Sequence, residues 1–139
     1  LIQSMRRALR AGCENARVVR YNAKLLEDLF VPNELNDVIV HFPDPYLKSK
    51  LRKRRLLSSE FMNELFNFQK VGSAFYFKTD SQDYFDWASE EFKNTKYEQV
   101  AYTRDLHQSE HAEGNFITAF ENIFLRKGQP IFYLKLVKN

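Results

Sequence analysis

The sequence predicts an α/β domain built on a mostly parallel sheet, and three observations point there. Helical apolar spacing at residues 1–9 and 25–30 alternates with strand-like runs at 17–21 and 36–42. A helix, strand, short helix, strand order favours parallel strands joined by crossovers. The β-branched run Val38-Ile39-Val40 then reads as a buried strand and stops at Pro43, which fixes φ and has no N–H for a ladder. Finally, Ile131-Phe132-Tyr133-Leu134-Lys135-Leu136-Val137 follows the Gly128-Gln129-Pro130 turn and closes the chain as a long strand.

The elements follow in order. Leu1, Ile2, Met5, Ala8 and Leu9 form an apolar stripe, and Gly12 is a helix stop. Arg17 to Tyr21 alternates as a short strand. Leu25, Leu26, Leu29 and Phe30 make a small amphipathic helix that Pro32-Asn33-Glu34 breaks. Ser58 or Ser59 caps a helix whose stripe is Phe61, Leu65, Phe66 and Phe68. Ala74 to Thr79 reads as a short aromatic strand, and Tyr84, Phe85, Trp87, Ala88 and Phe92 mark another helix. Asp80, between them, suits a helix cap, a substrate contact, or both. Val100-Ala101-Tyr102 is a further strand candidate. Residues 103–115 form a polar loop whose His107 and His111 lack metal-ligand spacing. In the helix after it, the residue pattern taken alone favours Phe116, Phe120, Ile123 and Phe124 packed inward with Glu121 in solvent.

Composition narrows the class. At 139 residues the chain holds one domain at most, and its 13 Phe and 7 Tyr suffice for a core. The single cysteine, Cys13, excludes an internal disulfide and fits a reducing cytoplasm. No stretch of about 18 apolar residues suggests a membrane span, and no secretory leader is visible. Net charge is only +3, so clustering matters more than the total. Six of the eight residues from Lys48 to Arg55 are Lys or Arg, a phosphate-seeking surface. They follow Asp44, which Pro45 holds extended just past the strand's carboxyl end, where open α/β sheets bind ligands.

Phe42-Pro43-Asp44-Pro45-Tyr46 followed by Lys53-Arg54-Arg55-Leu56 resembles the signature of the tRNA (guanine-N7)-methyltransferases. Tyr46 stands where that family has Trp, and Leu51 where many members have His. Asn22-Ala23, Thr79-Asp80 and Thr118 with Glu121 match further family elements, so the resemblance runs over nearly all of the chain. It implies a Rossmann-like, class I fold that uses S-adenosylmethionine, with helices on both sheet faces and a late antiparallel strand. It also implies that residues 1–139 form one partial domain. No Gly-x-Gly turn occurs among the four glycines, so the two opening strands and half of the cofactor site are expected to lie outside this sequence.

The resemblance also assigns roles. Asp44 is the central catalytic residue, facing guanine and lying beside the cofactor. Asn22 and Ala23 lie against the cofactor's adenine. Asp80, Thr118 and Glu121 shape the base site, and Lys48, Arg52, Lys53, Arg54 and Arg55 grip tRNA phosphates. The expected target is the guanine at tRNA position 46 in the variable loop, and the expected state is a cytoplasmic monomer or homodimer. Two other readings stay open. Pro43-Asp44-Pro45-Tyr46 is also close to elements of enzymes that methylate exocyclic amines, and the missing glycine turn suits a non-catalytic RNA-binding piece.

Overall fold

A computed structural model describes residues 2–139. The helical stripe expected from Leu1 therefore lies partly outside the described residues. Helix α1 (Ile2–Arg10) has no buried residue and stands apart from the core. Strand β1 is Val38–His41, helix α2 Ser59–Phe68, strand β2 Ala74–Thr79 and helix α3 Gln82–Phe92. Strand β3 (Glu98–Thr103), helix α4 (Ala119–Arg126) and strand β4 (Phe132–Val137) complete the fold. Short 3₁₀ turns occupy Leu26–Asp28, Ser49–Arg54, Leu106–Gln108 and Glu110–Ala112.

The sheet order is β1-β2-β4-β3. Strands β1 and β2 run parallel, while β4 lies antiparallel between β2 and β3. The late antiparallel strand is therefore present, and a single pairing, β1 with β2, represents the parallel part of the sheet among the described residues. The run 17–21 is not a strand: Val18 and Val19 are exposed, and no neighbouring strand pairs with them among the described residues. Alternation alone does not hold an extended segment, because a ladder needs a partner for its N–H and C=O groups. Likewise 25–30 forms only one 3₁₀ turn, with Leu26 as its buried anchor.

Period-2 alternation divides the sheet. Phe75 and Phe77 of β2, with Phe132, Leu134 and Leu136 of β4, face α2 and α3. There Phe77 meets Tyr84, Phe85 and Phe92 edge-on or stacked, at ring separations of 5.7, 6.1 and 6.2 Å. Both helices begin with serine caps, Ser58 accepting from the Phe61 amide and Ser81 from the Tyr84 amide. Helix α2 ends on Lys138, whose Nζ donates to the carbonyls of Phe66 and Gln69, a cation at the negative end of the helix. The second sheet face presents Ile39, His41, Tyr76, Lys78 and Tyr133, roofed in part by residues 106–116.

Phe77 lies at the centre of the first face. Its replacement, Phe77→Ala, is expected to cost about 3–5 kcal/mol of unfolding free energy, measured by urea denaturation. Phe116→Ala, at a ring 80% exposed, is expected to stay within about 0.5 kcal/mol.

Candidate functional site at the carboxyl ends of β1 and β2

The parallel register sets His41 opposite Lys78, so the chain leaves both strands at the same edge of the sheet. The Phe42 amide extends the ladder by one bond, donating to the Lys78 carbonyl at 2.8 Å. From there the backbone is forced into an uncommon path. Phe42 and Tyr46, neither of them glycine, have φ of 51° and 42°, and they bracket Pro43-Asp44-Pro45. Such left-handed residues cost about 1–2 kcal/mol each and persist only where their surroundings hold them. The Phe42 ring packs against Phe120 and Phe124 of α4 at 5.0 and 6.0 Å, and the Pro45 carbonyl accepts from Arg55 Nε at 2.8 Å. The Asp44 side chain, at the crest, is open to solvent.

The basic run splits in two. Lys48, Lys53 and Arg54 are exposed and enter no ion pair among the described residues, as a phosphate-binding role requires. Arg52, half exposed, donates to Asp83 of α3 at 2.6 Å. Arg55 corrects the expectation for it: the residue is 1% exposed and cannot reach a phosphate. Its guanidinium pairs with Asp83 and lies 5.0 Å from the Tyr84 ring centre and 5.1 Å from that of Trp87.

At the end of β2, Thr79 is buried, and its hydroxyl accepts from the Ser81 amide at 3.1 Å. Ser81, rather than Asp80, caps α3, which leaves the Asp80 carboxylate exposed beside the Asp44 turn's own strand end. Asn22 and Ala23 are exposed as well. Asn22 Oδ1 accepts from the Lys24 amide at 3.1 Å, a local turn bond. No hydrogen bond or ion pair ties that pair to the Asp44 turn among the described residues.

Glu121 reverses the expectation for its helix. Phe116, Phe120 and Ile123 are exposed, whereas Glu121 is 0% exposed. Its carboxylate accepts from Lys78 Nζ at 2.6 Å and Asn115 Nδ2 at 3.0 Å, and it lies 2.8 Å from His107 Nε2. Thr118 and Glu121 cap each other's backbone in a reciprocal box. Glu121 has no exposed oxygen to offer a ligand, which corrects the base contact expected of it; the Thr118 hydroxyl accepts from the Glu121 amide and keeps its own O–H to donate. Burial pushes the Glu121 carboxyl up. The hydrogen bonds from Lys78 and Asn115, the Lys78 charge and the Thr118 amide outweigh it, and the net shift is downward. Lys78, His107 and Asn115 were not among the residues that sequence reasoning selected. The Thr118-x-x-Glu121 spacing is itself a capping-box signal that announces the helix start.

Beside this cluster a cleft of about 390 Å³ opens on the second sheet face, lined by His41, Tyr76, Lys78, His111, Asn115 and Tyr133 among others. Partial burial and the neighbouring Lys78 charge lower the His41 pKa to about 4, against a smaller opposing pull from Glu121. Among the described residues no group of three or more His, Cys, Asp or Glu is placed to hold a metal, and no helix is long and apolar enough to cross a membrane.

A depressed carboxyl stabilises the fold above its unfolded pKa and loses that contribution as pH falls through the folded value; a depressed imidazole makes the folded state reluctant to take up the proton the unfolded chain binds. Both signs agree: the His41 contribution is expected to be lost on acidification from about pH 6.5 to about 4, and the Glu121 contribution as pH falls further, below the ordinary glutamate value. An NMR titration should show the His41 ring protonating near pH 4, and a midpoint above 6 contradicts the site's electrostatics. Glu121→Gln, which strands the buried Lys78 charge, is expected to cost about 3–5 kcal/mol, with much of the loss recovered by adding Lys78→Met.

A family profile described as "Putative methyltransferase" matches residues 1–134. The chain is 46% identical over 138 residues to the tRNA (guanine-N(7)-)-methyltransferase of Bdellovibrio bacteriovorus, covering 99% of this chain and 66% of that protein. With the Bacillus subtilis protein of the same name it shares 30% identity over 132 residues, 95% of this chain and 62% of that one. The chain thus spans less than two thirds of the length of these curated relatives. Among solved structures, geranyl diphosphate C-methyltransferase from Streptomyces coelicolor, crystallised with Mg2+, geranyl diphosphate and S-adenosyl-L-homocysteine, superposes with a TM-score of 0.54. That match has 14% identity and covers 96% of this chain and 59% of that one; it supports the class I fold. The profile match covers nearly the whole sequence, and on it the chain belongs to this methyltransferase family.

Proposed function

We propose that the complete protein is a cytoplasmic, S-adenosylmethionine-dependent tRNA methyltransferase that forms N7-methylguanine, with the variable-loop guanine as its target. The observation that supports this most is the exposed Asp44, raised on a strained turn at a strand end and flanked by the open cations Lys48, Lys53 and Arg54. The names of the similar proteins point to the same chemistry.

The residues present supply part of a site for the cofactor. Asn22 and Ala23 are exposed and offer an edge for adenine, but among the described residues no glycine follows a strand's carboxyl end to let backbone approach the cofactor closely. S-adenosylmethionine supplies an electrophilic methyl group on a sulfonium. Guanine N7 carries an in-plane lone pair and needs no general base, so the protein's task is placement and charge compensation. The Asp44 carboxylate accepts from the N1–H and exocyclic amine of guanine, donors that adenine does not present together. Its negative charge also offsets the cation that develops on the ring. Asp80, exposed at the next strand end, supplies a second acceptor on the same rim. Lys48, Lys53 and Arg54, with Arg52 from its half-exposed position, hold the phosphates of a tRNA whose target base is splayed out of its stack.

Asp44→Asn in the full-length protein is expected to lower N7 methylation by about 10²-fold or more while tRNA affinity stays within about threefold. Undiminished turnover removes Asp44 from this role, and a methyl mapped to an exocyclic nitrogen assigns the site to amine methylation. Lys53→Ala and Arg54→Ala are each expected to flatten the salt dependence of tRNA binding by about 0.7–0.9 in slope.

A further inference from the structure

The basic run conceals a residue of a different kind. Arg55 carries the same charge as its exposed neighbours, yet its side chain is 0% exposed. Nε donates to the Pro45 carbonyl at 2.8 Å, one Nη pairs with Asp83, and the plane rests near the Tyr84 and Trp87 rings. Its other terminal nitrogen, Nη1, is buried without a partner. A buried cation with an unpaired donor is not what stability alone favours, since an apolar side chain of similar volume often does better. What a methionine there would lack is the planar fork that reaches a backbone carbonyl and a carboxylate together. That fork joins two loops: the turn after β1, whose crest is Asp44, and the first turn of α3, which follows β2 and Asp80.

We infer that Arg55 is a positioning residue that fixes the Asp44 turn by holding the Pro45 carbonyl against α3. It does so from the interior and makes no contact with nucleic acid. The inference rests on the reading of Asp44 given above. Arg55 lies ten residues beyond Pro45 in the sequence, and their hydrogen bond closes the loop between them. The strained φ values at Phe42 and Tyr46 leave the turn dependent on such outside support.

The test uses the full-length protein with tRNA and S-adenosylmethionine. Arg55→Lys keeps the charge and loses the fork. It is expected to lower kcat by about 10²-fold, with KM for tRNA and the salt slope of tRNA binding near wild type. Arg54→Ala should show the opposite split, with weaker and less salt-sensitive binding. If Arg55→Lys instead lowers tRNA affinity and salt slope with kcat intact, Arg55 is a phosphate contact and the inference fails; it fails equally if neither changes. Should Arg55→Lys not fold, Asp83→Asn leaves the guanidinium stacked and loosens its anchor, and the same kcat-selective loss is expected at smaller amplitude. Wild-type kcat in Asp83→Asn overturns the clamp. A readout independent of turnover is trypsin cleavage after Lys48 and Lys50, expected to quicken about tenfold in Arg55→Lys as the segment is released; unchanged cutting counts against the inference. A wild-type protein that forms no N7-methylguanine refutes the function proposed above, and the cleavage rates then decide the clamp alone.

Discussion

The parallel pairing of β1 with β2 is the constraint on which the rest depends. Its register places His41 across from Lys78, and one further bond, from the Phe42 amide to the Lys78 carbonyl, ends the ladder. The chain must therefore turn away from both strands at the same rim. Lys78 then acts twice. Its backbone terminates the ladder beside the Asp44 turn, and its side chain crosses to the other sheet face and anchors α4 through Glu121. Three segments, 42–46, 79–83 and 115–121, are drawn to one edge by a single pair of strands.

Charge at this edge is divided between interior and surface, and the two parts do different work. Lys78 with Glu121, and Arg55 with Asp83, are buried or half-buried pairs whose worth to stability is doubtful by the general energetics of buried ions, but whose geometry is directional. Each ties one loop to another. Lys48, Lys53 and Arg54 remain in water, where a cation contributes little to folding and stays available for the phosphate contacts proposed for it. A 3₁₀ turn spans Ser49–Arg54, and residues three apart on such a turn eclipse one another. That places Arg52 and Arg55 together toward Asp83 and leaves the cations between them outward.

Legibility in the sequence followed the range of the interactions. Strands β2 and β4 and helices α2 and α3 were readable almost to their ends, because aromatic periodicity is a local signal, as is the serine cap of α2; the cap of α3 was placed one residue early, at Asp80 and not Ser81. The run 17–21 was misread because alternation says nothing about whether a neighbour exists to complete the ladder. Helix α4 was placed correctly and turned the wrong way. Its phenylalanines suggested a buried face, but Lys78, forty-three residues earlier, claims Glu121 for the interior and rotates the rings outward. Arg55 escaped for the same reason. Nothing in a run of cations marks the one that a distant aspartate, tyrosine and tryptophan will enclose. The turn at Asp44, by contrast, was legible from its two prolines, whose limits on the backbone angles are local.

The conformation of that turn explains why such enclosure is useful. Left-handed φ at Phe42 and Tyr46 would relax in an isolated peptide, so Asp44 keeps its place only while Phe42 is held by the α4 rings and Pro45 by Arg55. A methyl transfer to a nitrogen that is already nucleophilic asks little of a protein in acid–base terms. On the proposed function it asks instead that one carboxylate stand still, within a fraction of an ångström, while a large flexible nucleic acid is brought to it. A turn under strain and gripped from two sides meets that demand better than a relaxed one, because its alternatives are removed by packing and not merely by sequence. The ring cluster on one side and the guanidinium on the other are therefore two halves of the same support, and the carboxylate between them stays exposed.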